Sequence, residues 1–170
     1  MNAPRPEPPG SPGAHPERPR ARGTILYGGL TVGVLDGLAA SVSSALRGTS
    51  PVRVFQYVAS ALVGPASFDG GLSTAALGVS MHFLVAFSAA AVYYLAGRSF
   101  PVLIRQAIVC GVIYGVVVYF VMSRVVVPLS AARALPFSPT QVFIHIFCVG
   151  LPIALLARRS AGAKLRSPRA

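Results

Sequence analysis

The stretch GGLTVGVLDGLAAS, Gly28 to Ser41, decides how this chain is read. Apart from Thr31, Asp36 and Ser41, its residues are apolar or glycine. The block continues outward from Thr24 to Leu46 with Asp36 as its one charge. About 23 residues of helix rise about 34 Å, enough to cross a hydrocarbon core of about 30 Å. A cleaved signal peptide is the competing reading, because a basic segment precedes the block. The length, the glycines, Asp36 and the lack of a clean small-residue cleavage site argue against it.

The rest of the 170 residues follow the same reading: 54% are hydrophobic and 11% charged. Soluble domains carry about 25% charged residues, so this chain cannot clothe a water-exposed surface of that kind. The net charge of +11 could suggest nucleic acid. However, the basic residues flank apolar blocks instead of forming a face, which is the pattern of topology signals, and no nucleic-acid partner is expected. Cys110 and Cys148 fall inside apolar blocks without CxxC spacing, so they read as buried small hydrophobes.

Three more blocks have spanning length, at about 72–97, 106–127 and 140–157. Residues 1–22, rich in Pro and Arg, read as a disordered tail, 23–159 as the membrane domain, and 160–170 as a basic tail. Between the first two blocks, Ser50-Pro51 is a cap followed by a first-turn proline. Arg53, Gln56, Tyr57 and Ser60 recur after it at helical spacing, with Val52, Phe55, Val58, Ala59 and Leu62 opposite. About twelve residues rise only about 18 Å, so Pro51–Leu62 is expected to lie on the outer membrane surface or dip into it, polar stripe outward. Gly64-Pro65 ends it.

Four spans put both termini on one side. The two tails, Arg158-Arg159 next to the second of them, and the loop holding Arg98 and Arg105 carry eleven of the basic residues. Arg47, Arg53, Arg124 and Arg133 face the other way. Eleven against four predicts cytoplasmic termini in a bacterial inner membrane. The predicted fold is therefore all-α: a four-span transmembrane helix bundle with a short amphipathic outer helix between spans 1 and 2.

Small residues recur every four positions. Gly29, Gly33 and Gly37 continue to Ser41 and Ala45, Gly78 lies in a similar row in the second span, and Gly111 and Gly115 pair in the third. Such rows let helices approach closely, within one chain or in a homo-oligomer. Asp36 lies about 18 Å from the start of its span, and His82 about 15–18 Å from the opposite face. These two match in depth and form the candidate intramembrane pair, meeting directly or through one water. An isolated carboxylate there is costly. Tyr114 and Tyr119 are further partners for it. His145 lies about five residues into its span, and Arg124 sits near a span end where it can snorkel.

An Asp–His pair can tie helices together or serve as a proton or ligand site, and the structural role is favoured on sequence alone. Haem ligation by His82 and His145 conflicts with their unequal depth, and a metal lacks a ligand shell. No catalytic serine spacing, phosphate loop or paired carboxylates occur, so neither an enzyme nor a cofactor is expected. The segments LDGLAAS (35–41), SPVRVFQYVASALVGPASFDGG (50–71), TAALGVSMHF (74–83), VYYLAGR (92–98), GVIYGVVVYFVMSRVVVPLSA (111–131) and HIFCVGLPIALLARR (145–159) resemble a group of uncharacterised bacterial four-span membrane proteins. More loosely, their layout is similar to the YagU-like inner-membrane proteins. The resemblance implies the four-span layout and no activity. Where that group has Asn near YFVMSRVVVP, this chain has Ser123-Arg124. The expected role is a structural or accessory component of the lipid bilayer; the alternative is a small transporter using Asp36 and His82.

Overall fold

A computed structural model describes residues 21–162; the expectations for the two tails lie largely outside the described residues. Every regular element described is helical. Four helices are long and apolar enough to cross a membrane: α1 (Arg22–Ala45), α3 (Gly71–Ser99), α5 (Ala107–Val126) and α6 (Pro139–Ala161). The short helix α2 (Pro51–Val63) precedes α3, and the single turn α4 (Val102–Arg105) links α3 to α5. The four spans fall where the apolar blocks predict, except that α6 continues beyond Arg158-Arg159. Its far end is held by packing, since Ala157 and Ala161 are buried and the Thr24 hydroxyl meets that of Ser160 at 3.0 Å. That contact also brings the N-terminal end of the first span and the C-terminal end of the last to the same end of the bundle.

The bundle is apolar outside and small inside. Leu38, Leu84 and Ile108 are exposed, whereas alanines 86, 90, 107, 154, 157 and 161 fill much of the core. Lipid removes the drive to bury large apolar side chains, and close packing of small residues takes its place. The glycine rows show two versions of this. Along α1, Gly29 faces the ring of Phe87, Gly33 faces Phe83, and Gly37 faces His82, so α3 inserts rings into a row of holes. On α5, Gly111 and Gly115 meet the backbone of α6 around Gly150 and His145, and this seam brings main chain against main chain. Gly78 of α3 lies against the Phe55 carbonyl of α2. These rows are therefore occupied within one chain.

Among the described residues, three stretches are wider than an α-helix: Arg22–Tyr27 at the start of α1, which no proline follows, and two that precede prolines. Met122–Val126 in α5 and His145–Gly150 in α6 are π-helical. Each ends two residues before a proline, Pro128 and Pro152. A proline ring clashes with the carbonyl four residues earlier and supplies no N–H, and a widened turn accommodates both effects.

Helix α2 begins as the sequence predicts: the Ser50 hydroxyl accepts from the Arg53 N–H, and Pro51 occupies the first turn. Gly64, at φ +67°, ends it. It is not among the helices long enough to span. Its orientation departs from the expectation in part: Arg53 is exposed as expected, but two other residues of the polar stripe are not. Gln56 is 3% exposed and Ser60 is also buried, while Leu62 is 66% exposed. The Gln56 side-chain amide donates to the Gly71 carbonyl at 3.0 Å. The two helices come close enough for the Phe55 backbone of α2 to lie against Gly78 of α3, an approach that a side chain at Gly78 would prevent. Phe55 and Val58 point inward, so α2 dips into the bundle instead of lying flat upon it.

The seams of the bundle are unequal. Helix α1 packs along α3 and α6, and α5 along α6. Between α3 and α5 long side chains bridge the gap: the rings of Tyr93 and Tyr114 meet edge to face at 5.0 Å. The Tyr93 hydroxyl donates to the Leu103 carbonyl at 2.8 Å, and the Tyr114 hydroxyl to that of Ala89 at 2.7 Å. At the end of the bundle where the terminal spans emerge, the interior is filled by Tyr93, Ile104, Ile153 and alanines. The opposite half is hollow.

Candidate functional site

The hollow half contains two adjoining cavities. The wider one, of about 600 Å³, opens beside α2 and the 127–138 connection, with Arg47, Thr49 and Arg53 among its lining residues. The inner one, of about 100 Å³, reaches toward Val32, Ala89 and Val149. Both are lined by Asp36, Val58, His82, Met122 and His145. Asp36 therefore stands where the two meet. It lies nine residues before the end of α1, about 14 Å along the helix from that end.

One carboxylate oxygen of Asp36 is buried and has no hydrogen-bond partner among the described residues. The expected direct bond to His82 is not formed. The Nε2 of His82 lies 2.9 Å from the Gly33 carbonyl, which can only accept, so that nitrogen donates to it. Gly37 makes this contact accessible, since a Cβ there would stand 3.2 Å from the same nitrogen. The helix groove thus draws the imidazole onto the backbone one turn below Asp36. The rings of Phe55 and Phe83 hold it edge to face at 6.0 and 5.9 Å. Asp36 and His82 are matched in depth as predicted, but what they share is a cavity.

His145 joins them. Its Nδ1 donates to the Gln141 carbonyl at 2.8 Å, and its ring packs edge to face on Tyr119 at 5.6 Å. Each imidazole thus spends one nitrogen on a backbone carbonyl and keeps the other available. In the neutral tautomers these bonds select, the remaining nitrogens are His82 Nδ1 and His145 Nε2, both acceptors. Tyr119 lines the wide cavity, and its hydroxyl accepts from the Ser138 N–H at 3.1 Å, fixing the start of α6. Among the described residues no three His, Cys, Asp or Glu lie close enough to hold a metal ion.

The other predicted site residues lie elsewhere. Tyr114 belongs to the packed core below the cavities. Arg124 is exposed and lines neither cavity. Sequence reasoning did not assign Arg47, Arg53 or Met122 to the site. Arg47 lies 11 residues after Asp36, in the turn just beyond the end of α1, and this spacing, close to three helical turns, was the available signal.

Outside the spans, Tyr57 of α2 donates its hydroxyl to the Arg133 carbonyl at 2.9 Å, tying the cavity wall to the 127–138 connection. Burial raises its phenol above the usual 10.0. The bond is therefore intact at neutral pH. The folded value exceeds the unfolded one, so the contribution is complete below pH 10 and is lost as pH rises through the raised value.

The site is a one-sided, largely apolar vestibule leading to an acid with an unpartnered oxygen, in a multi-pass helical membrane protein. No protein-family model, curated protein or solved structure matches the chain.

Proposed function

We propose that the protein is a small proton-linked carrier of a bacterial inner membrane, with Asp36 as its loading site. The observation that carries this reading is the buried, unpartnered oxygen of Asp36 at the junction of the two cavities. An acid serving to hold helices together would be bonded to a neighbouring helix, because leaving it unpaired in a low-dielectric interior is costly. Here the helices are joined by glycine seams, and Asp36 lines both cavities. This turns the balance away from a purely structural role. His82 and His145, each with a free nitrogen on the same cavity, supply positions that can pass a proton to and from Asp36. The packed tyrosine layer closes the pathway on the side of the termini.

Purified protein in liposomes containing a pH-sensitive dye tests the proposal. With an imposed potassium diffusion potential, wild-type vesicles should change internal pH at least about tenfold faster than vesicles carrying Asp36→Asn. The asparagine keeps the shape and hydrogen-bonding ability while removing the titratable proton. Equal rates for the two proteins would eliminate Asp36 as a proton site.

The sidedness rests on the eleven-to-four distribution of basic residues, which supports cytoplasmic termini and a vestibule opening to the outside. Cysteines introduced at Ala14 and Ala163, in a background without Cys110 and Cys148, should resist a membrane-impermeant thiol reagent in intact cells. Both should react after lysis. Labelling of just one in intact cells is incompatible with an even number of spans.

A further inference from the structure

The vestibule carries opposite charges at its two ends. Asp36 stands at the floor. Arg47 and Arg53 stand among the lining of the wide cavity, and no ion pair involves either of them among the described residues. Arg47 leans back toward the floor, its guanidinium donating to the Ser44 hydroxyl at 3.3 Å. Arg53 lies over the ring of Phe68 at 5.4 Å, another residue of the same wall. Resting on the carrier reading, we infer that the solute is a zwitterion, its ammonium bound by Asp36 and its carboxylate or phosphate by Arg47 and Arg53.

The spacing sets the size of that solute. Ser44 lies eight residues above Asp36, about 12 Å along α1. Side chains at both levels lean toward the helix N-terminus, so acid and guanidinium stay about 12 Å apart along the axis. Charge-assisted hydrogen bonds of about 2.8 Å at each end leave roughly 6–7 Å between the ammonium nitrogen and the nearest oxygen of the anionic group. An α-amino acid is too short to bridge that distance. An ω-amino acid such as γ-aminobutyrate or δ-aminovalerate reaches it, as does phosphoethanolamine, free or as a lipid headgroup. The ammonium occupies the carboxylate on which the proton is carried. Solute and proton therefore compete for Asp36, and saturating solute slows the proton flux.

Isothermal titration of the detergent-solubilised full chain with γ-aminobutyrate, δ-aminovalerate and phosphoethanolamine tests this, with butylamine and butyrate as single-charge controls. At least one zwitterion should bind at least tenfold more tightly than either control. Asp36→Asn and the exposed double variant Arg47→Gln/Arg53→Gln should each weaken that zwitterion at least tenfold. No binding of any zwitterion, or butylamine binding as well as γ-aminobutyrate, overturns the inference. Nanodiscs separate the two sources. Zwitterion binding seen in phosphatidylglycerol discs but abolished in phosphatidylethanolamine discs assigns the site to the lipid headgroup; binding unchanged between them assigns it to a soluble solute. Proton flux without zwitterion binding would sink the inference and leave the carrier reading standing. Zwitterion binding with flux unaffected by Asp36→Asn would do the reverse.

Discussion

Asp36→Leu should make the protein more stable while abolishing its proton flux. The thermal midpoint in detergent is expected to rise by roughly 3–8 °C, corresponding to about 1–3 kcal/mol. The reason lies in what the carboxylate lacks. One oxygen is buried without a partner, and His82, the neighbour best placed to pair with it, is committed to the Gly33 carbonyl. Replacing the acid with leucine removes its desolvation cost and breaks no hydrogen bond to another described residue. The side chain faces the adjoining cavities, so the added volume meets space instead of packed backbone. A residue kept at the expense of stability is the usual mark of a functional site. Asp36→Asn should lie between the two in stability and match the leucine variant in flux. A lowered midpoint for Asp36→Leu would show that the carboxylate holds the bundle together, and the carrier reading would then lose its main support.

Gly115→Leu should have the opposite effect, preventing α5 and α6 from docking. A Cβ at Gly115 would stand 2.6 Å from both the His145 carbonyl oxygen and the Ile146 Cα. Both obstacles are main chain, which cannot rotate aside as a side-chain tip does. The cost should therefore exceed the ordinary overpacking range of about 1–3 kcal/mol. Folded, monodisperse protein should be largely lost on size exclusion. Gly115→Ala should be damaging in the same sense but less severely, since it adds the Cβ without the branches. Val117→Leu, on the exposed side of the same helix, provides the control and should behave as wild type. If Gly115→Leu and Val117→Leu run alike, the α5–α6 seam is not as described. The two predictions are complementary: filling the cavity stabilises, and filling the seam disrupts.

The four spans and the helix-breaking Gly64 were legible in the sequence because they depend on local quantities. Apolar length is compared with bilayer thickness, and a proline or glycine acts on its own turn. The cap at Ser50 was legible for the same reason, as was the common depth of Asp36 and His82, which follows from counting residues along two antiparallel helices. Tertiary structure decided what those residues touch. Helical periodicity shows that Gln56 and Ser60 share a face with Arg53 and Tyr57, but not which side of that stripe meets α3. Depth brings His82 level with Asp36, yet the imidazole bonds to the Gly33 carbonyl because Gly37 gives it room. The placement of Met122 and His145 on the cavity depended on how the widened turns before Pro128 and Pro152 seat against α1 and α3, which the sequence reading did not foresee. The cavity itself belongs to no single segment. It exists because α5 closes on α6 through glycines while α3 and α5 are spaced by tyrosines, and a difference between seams is a property of the packed bundle alone.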